Sequence, residues 1–353
     1  MTESHLIRLQ PSGHEVVCEP GDTVLAALER SGYAIPNNCR AGACGECKTK
    51  VLSGEYDQGV ILDMALKDVE RAAGFGLMCM AKPTSAVLEI EYGTGDAMPK
   101  LFPPQTNLRF VVTDRVERTA RIVELRLRPV GANLRYWPGQ YVTIGDDVGG
   151  APARPYSIAN APRADGEISL LVAHVPNGAT SGWIHASVKP GDVVRVSGPY
   201  GTFVGDPAVE GPVLCLAAGS GLAPILALTD AALRRGFKHP VTLMLSARHP
   251  DDVFGQGAMA WWTARHRRFR SVVCRTGAGE LASGERRGRV TTVLPDMFTD
   301  LSGHSVFIAG PPAFVADCVT AVLALGARSE LTYVEGYHAQ APIEIPPAAR
   351  LTL

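Results

Sequence analysis

No stretch of the chain runs for the ~18 apolar residues that a membrane-spanning helix needs; every apolar segment is broken by Gly, Pro or a charge. The opening residues, Met1 to Gln10, are polar and carry no secretory pattern, so a cytoplasmic protein with no membrane contact is expected. An excess of either charge is also missing. With 34 Lys and Arg against 35 Asp and Glu, the chain offers no electrostatic footprint for nucleic acid. The one basic run, Arg265 to Arg270, is short and reads as the polar end of a helix. Internal repeats and low-complexity segments are absent too. What is left, 46% apolar and 20% charged residues over 353 positions, is the make-up of a globular protein of two or three domains.

Cysteine is where the chain is informative. Three of its eight cysteines fall in one short loop, Cys39-Arg-Ala-Gly-Ala-Cys44-Gly-Glu-Cys47, and a fourth, Cys79, follows far downstream. C-x4-C-x2-C with a distant fourth cysteine is the ligand spacing of a plant-type 2Fe-2S cluster. Two bridged irons need four thiolates, and Gly42 and Gly45 let the loop wrap closely with backbone N–H groups toward the sulfurs. Structural zinc sites also use C-x2-C but normally pair two such knuckles, whereas Cys79 stands alone between Met78 and Met80. A disulfide framework sits badly with so tight a cysteine group and no secretory signal. Cys18, Cys215, Cys274 and Cys318 lie in apolar patterns and read as small core residues. On the cluster reading the chain carries single electrons.

The charge, though balanced overall, is unevenly placed. Residues 1–95 hold 8 basic and 13 acidic side chains, and the remainder holds 26 and 22, so an acidic module precedes a mildly basic one and electrostatic docking becomes a possible use of that asymmetry. In the first segment an alternating strand, a Pro11-Ser12-Gly13 turn and a second strand read as a hairpin. Asp22 or Thr23 then caps a helix that Gly32 ends. A strand after the cysteine loop, a helical turn near Ala65 to Ala72 and a last strand, Val87 to Tyr92, complete a β-grasp pattern. Gly93 to Thr106 has linker composition. From Leu108 to about Gly205, short strands and frequent turns predict an antiparallel β-barrel with one helix near Thr180 to Val188. After Gly211-Pro212 the pattern becomes strand, Gly-rich turn and helix, which predicts an α/β parallel sheet.

Three strings beyond residue 150 carry chemistry. Arg154-Pro155-Tyr156-Ser157 sets a cation, a flat aromatic and a hydroxyl along one extended segment, able to meet a phosphate, a ring face and a ring nitrogen. Asn177-Gly178-Ala179-Thr180-Ser181 opens the barrel's helix, and a helix N-terminus with small side chains is a ready anion site. Gly219-Ser220-Gly221-Leu222-Ala223-Pro224 follows a buried strand and opens another helix, the placement that a phosphate-cradling loop requires. A plain strand-to-helix turn would look the same in isolation; its order after the Arg154 string is what favours a dinucleotide.

Taken together, these motifs resemble those of the NAD(P)H-dependent flavin and iron-sulfur reductases of bacterial multicomponent oxygenases, in which a plant-type ferredoxin domain precedes a ferredoxin-NADP reductase-like module. The resemblance covers about residues 3–338. It implies that Cys39, Cys44, Cys47 and Cys79 hold the 2Fe-2S cluster. Arg154, Pro155, Tyr156 and Ser157 would bind FAD, with Gly178 and Ser181 at its pyrophosphate. Gly198 to Phe203 resembles the strand and turn that close the barrel. Gly219, Ser220, Gly221 and Pro224 would bind NADH, with Gly310 and Pro311 at the nicotinamide. Glu335-Gly336-Tyr337 would lie over the flavin, so that Ser157, Glu335 and Tyr337 are the expected catalytic residues. One departure stands out: the family's usual Cys-Gly-Pro element reads Ala309-Gly310-Pro311 here. The tail beyond His338, with three prolines, exceeds the family's usual end.

The expected organisation is therefore a ferredoxin domain (1–95), a linker (96–106), an FAD barrel (107–208), an NAD domain (209–338) and a tail (339–353). The expected route is NADH to FAD to cluster to a terminal oxygenase, either di-iron hydroxylase or Rieske oxygenase, served by a monomer. A free ferredoxin, quinone or cytochrome is the alternative acceptor, and a redox sensor the alternative of another class, which would leave the nucleotide loop without a purpose. After its second strand the nucleotide segment reads Ser246-Ala-Arg248-His-Pro-Asp251-Asp252, where the acidic pair favours a ribose hydroxyl over a phosphate while Arg248 argues the other way.

Overall fold

The computed structural model describes residues 4–93, 101–146, 148–206 and 209–337. The first unit is a five-stranded sheet in the order β2-β1-β7-β3-β5, built from β1 (His5–Gln10), β2 (His14–Cys18), β3 (Lys48–Ser53), β5 (Phe75–Leu77) and β7 (Val87–Glu91), with β4 (Tyr56–Asp57) and β6 (Lys82–Pro83) as a separate short pair. β1 runs parallel to β7 and antiparallel to β2, which buries Ile7 and Leu9 against α1 (Val24–Arg30). Thr23, not Asp22, caps α1, its Oγ1 accepting from Ala26 N at 3.3 Å, a contact worth ~1 kcal/mol. A short helix α2 (Asp68–Ala72) replaces the longer turn expected there. The cysteine loop bulges from this sheet between α1 and β3.

The second unit is a six-stranded antiparallel sheet, β11-β10-β13-β8-β9-β12, from β8 (Gln105–Thr119), β9 (Ile122–Pro129), β10 (Tyr141–Asp146), β11 (Ala151–Ser157), β12 (Ile168–Ala173) and β13 (Val193–Tyr200). A bridge between Ile158 and Leu170 joins its two edges and closes the barrel. Helix α3 (Ala179–Ala186) lies against β11 and β12. Part of the stretch read as linker is ordered: Gln105 already pairs with Gly198, and Phe102 stacks on Trp137 with ring centroids 5.7 Å apart. Gln and Thr past the last proline are compatible with a strand, so the irregular composition ends at Pro104. The rest of that stretch, 96–100, and the tail with His338 lie outside the described residues.

The third unit is a parallel sheet in the order β17-β16-β15-β14-β18-β19, from β14 (Val213–Ala218), β15 (Val241–Ala247), β16 (Phe269–Arg275), β17 (Glu285–Arg287), β18 (Ser305–Gly310) and β19 (Thr332–Gly336). It is flanked by α4 (Leu222–Arg234), α5 (Gln256–Arg265), α6 (Val290–Met297) and α7 (Pro312–Ala324). The chain leaves β14 for β15 on one side and returns to its other side with β18, so the order reverses at β14 and a crevice opens at the carboxyl ends of β14 and β18. Barrel and parallel sheet share one apolar core, in which Ile122, Leu171 and Phe203 pack with Leu222, Ala247 and Phe307. Among the described residues no helix is long and apolar enough to cross a membrane.

Candidate functional site

Strand ends decide where the expected residues meet. Gly219 follows β14, Arg248 follows β15, Pro311 follows β18 and Tyr337 follows β19, so four segments distant in sequence reach one edge of the parallel sheet. The barrel presents β11 and the start of α3 to that edge. Between them lies a cleft of about 900 Å3, a size fit for cofactors rather than for solvent alone.

Arg154, Pro155, Tyr156 and Ser157 all line this cleft, as do Gly178 and Ser181. Asn177 takes a left-handed φ of +61°, which turns the chain into α3; Ser181 Oγ then accepts from Val175 N at 3.1 Å and fixes the turn. Across the sheet, Gly219, Ser220, Arg248, Asp252 and Pro311 line the same cleft, with Glu335 and Tyr337. Asp251, the other half of the acidic pair, is not among the lining residues.

Three expected cofactor residues are placed elsewhere. A Cβ on Gly221 would stand 2.2 Å from the Ala309 carbonyl oxygen, so this glycine serves the close approach of the loop to β18. Pro224 is buried within α4, and Gly310 (φ +155°) sits against the Ala218 carbonyl with its own carbonyl accepting from Tyr337 N at 2.9 Å. None of the three lines the cleft. Ala309 is fully buried in β18, below the lining.

The three expected catalytic residues do meet. Ser157 Oγ donates to Glu335 Oε1 at 3.0 Å and lies 3.0 Å from the Tyr337 hydroxyl. Glu335 is 8% exposed, its Oε2 is buried without a partner, and loss of solvation pushes its carboxyl up to about 8, with Glu46 adding like charge. Burial raises the Tyr337 phenol as well.

The four cysteines of the loop and β5–β6 turn form two hydrogen-bonded pairs, Cys39 with Cys44 and Cys47 with Cys79. The N–H groups of Ala43 and Cys44 each point at Cys39 Sγ from 3.3 Å, and Cys79 N–H points at Cys47 Sγ from 3.4 Å. Donation from Cys44 and these amides holds the Cys39 thiol down at about 5. Among the described residues no group of three or more His, Cys, Asp or Glu converges on a single metal ion; two thiol pairs suit a cluster of two irons, one pair to each, better than a single tetrahedral ion. The remaining cysteines are buried, and desolvation pushes Cys215, Cys274 and Cys318 up to about 12 and Cys18 to about 11, so they are inert core residues.

Several lining residues escaped sequence reasoning. Asn38 reaches the cleft from the first unit beside the expected cluster ligand Cys39, so the cluster loop shares a cavity with Ser157 and Tyr337. Tyr141 lies there because β10 pairs it with Ser157, and Arg121 and His174 come from strand ends on the far side. Each is an ordinary residue in its own segment, visible only once the pairing is known.

A chain with a two-pair thiol loop, a barrel with an anion-binding helix start and a parallel sheet with a Gly-rich loop is an oxidoreductase of the iron-sulfur flavoprotein class. Comparison with known proteins agrees segment by segment: residues 7–84 match the 2Fe-2S iron-sulfur cluster binding domain, 107–204 the oxidoreductase FAD-binding domain and 215–320 the oxidoreductase NAD-binding domain. The reductase subunit of an aromatic O-demethylase from Amycolatopsis is 36% identical over 86% of this chain and 90% of that one. The reductase component DmpP of a Pseudomonas phenol 2-monooxygenase is 31% identical over 91% and 90%. The crystal structure of the Amycolatopsis cytochrome P450 reductase GcoB superposes with a TM-score of 0.84 at 31% identity, covering 94% of this chain and 98% of that one. The protein belongs to this family of three-domain reductases, and it carries electrons from a nicotinamide dinucleotide through FAD to a 2Fe-2S cluster.

Proposed function

We propose that the protein is the reductase component of a multicomponent oxygenase, a cytoplasmic monomer that takes electrons from NADH and delivers them singly to a terminal oxygenase. The observation that carries this reading is one cleft lined at once by Cys39, by Ser157 and Tyr337, and by Gly219 and Arg248. The relatives support the acceptor class, being reductases of an aromatic O-demethylase and of a phenol 2-monooxygenase.

When bound, a nicotinamide would supply hydride transfer, a flavin the exchange between electron pairs and single electrons, and a 2Fe-2S cluster one-electron transfer. The protein's part is to hold and orient. Arg154 and the start of α3 would bind the flavin's phosphates, the cation and free N–H groups each meeting negative charge. Tyr156 would pack against the flat ring. Ser157, held by Glu335 and Tyr337, would place its hydroxyl at the ring's reactive edge. A Glu335 carboxyl held mostly neutral at pH 7 adds no negative charge there and keeps a proton within reach of Ser157. Gly219 and Ser220 would cradle the nicotinamide dinucleotide, with Pro311 beside its reactive end. Cys39 and Cys44 would hold one iron, Cys47 and Cys79 the other.

A fragment starting at Leu101, which retains the Phe102 stack on Trp137, tests the route. It is expected to keep FAD and to reduce ferricyanide with NADH. Reduction of cytochrome c is expected to fall at least about ten-fold, because a protein acceptor needs the cluster as relay and docking surface. Undiminished cytochrome c reduction would take the cluster off the path.

A further inference from the structure

The loop that carries Cys39 is tied down by contacts that no cofactor requires. Glu29, in α1, is 4% exposed and accepts both arms of the Arg40 guanidinium, Nη1 to Oε1 at 2.7 Å and Nη2 to Oε2 at 2.8 Å. Such a fork-to-carboxylate pair has one geometry and holds the guanidinium plane still. That plane faces the barrel: its central carbon is 4.2 Å from the ring centroid of Tyr200, the last residue of β13. Tyr141, with its ring centroid 5.6 Å from that of Tyr200, donates its hydroxyl to Asn37 Oδ1 at 2.6 Å. On the other side of Cys39, Asn38 Nδ2 donates to the Gly336 carbonyl in β19. Three of the residues surrounding Cys39 thus bind across to the other two units.

A buried ion pair adds little net stability, since desolvation offsets its attraction. What it supplies is a fixed orientation. Domains of one chain move relative to each other unless their interface is large and apolar, and the contacts that cross from this loop to the other units are polar. We propose that Glu29, Arg40, Tyr200, Tyr141 and Asn37 form an interdomain clamp that holds the Cys39 loop against the flavin cleft, with Arg40 and Tyr200 as positioning residues for electron passage from cleft to cluster. The inference rests on the flavin and cluster assignments above and adds to them the device that keeps the two sites together.

Tyr200 is the residue to change, because it lies in the barrel and is not itself a cluster ligand, with iron per chain measured in each variant so that cluster bleaching is compared at equal loading. Tyr200→Leu removes the ring face that the guanidinium lies on, and Tyr200→Phe keeps it. In the full-length holoprotein, amide hydrogen exchange of residues 36–41 is expected to rise about five-fold or more in Tyr200→Leu and to stay at the wild-type level in Tyr200→Phe, with the 5–18 hairpin unchanged in both. In stopped-flow mixing with NADH, flavin bleaching is expected at the wild-type rate in both variants, and cluster bleaching slowed about five-fold in Tyr200→Leu alone. Unchanged exchange and unchanged cluster bleaching in Tyr200→Leu would overturn the clamp, and so would a Tyr200→Phe variant behaving like Tyr200→Leu. A wild-type protein whose flavin is not bleached by NADH would instead overturn the functional reading beneath it.

Discussion

Replacing Glu335 by Gln removes a carboxyl that the fold makes costly to ionise. The side chain is enclosed, one oxygen accepts from Ser157 and the other has no partner, and burial lifts its pKa from the ordinary 4.5 to about 8. A carboxyl raised in the folded state binds its proton more tightly there than in the unfolded chain, so stability is highest at low pH. It falls as the pH climbs from about 4.5 to about 8, then levels off. At 1.36 kcal/mol for each factor of ten in proton affinity, the ceiling of that loss is ~5 kcal/mol. Gln resembles the neutral carboxyl in shape and does not titrate. The two proteins are therefore expected to melt within a few degrees of each other at pH 5, and Glu335→Gln to melt above wild type at pH 8.5. At ~2–4 °C per kcal/mol for a unit of this size, the gap approaches ~10–20 °C at the ceiling. All four tryptophans, Trp137, Trp183, Trp261 and Trp262, lie outside the ferredoxin unit, so tryptophan fluorescence follows the melting of the part that holds Glu335. Melting curves that shift in parallel with pH in the two proteins would refute the reasoning.

Cys79→Ser breaks one of the two thiol pairs and is expected to remove most of the iron while leaving the flavin, as read by metal analysis and visible absorption; zinc in anaerobically prepared wild-type protein would contradict the cluster. Gly221→Ala forces a Cβ to within 2.2 Å of the Ala309 carbonyl, a backbone clash expected to cost ~1–3 kcal/mol and lower the tryptophan-reported Tm; an unchanged Tm would mean the loop has room to move. NADH is expected to show the higher kcat/KM, and Asp252→Ala, which removes the carboxylate lining the cleft, is expected to narrow its lead over NADPH about five-fold. An unaltered ratio would place the ribose away from Asp252.

The sequence alone determined the cluster loop, the order of the three units and the chemistry of each, because these are local matters. Cysteine spacing, the Gly-rich turn after a buried strand and the Arg154 to Ser157 string keep their meaning within a few residues of chain, and Glu335-Gly336-Tyr337 could be matched to a known segment in the same way. Tertiary structure decided what those segments do to one another. Gly221 and Pro224 belong to the same string as Gly219, yet only the approach of β18 shows that they pack rather than line the cleft. Tyr141 gains its place from its register with Ser157, and Arg40 from a barrel residue 160 positions away that its guanidinium covers. The perturbed carboxyl of Glu335 is likewise invisible in the chain, since its cause is the removal of water by three units closing on one cleft, and solvation is a property of the assembled surface rather than of any segment.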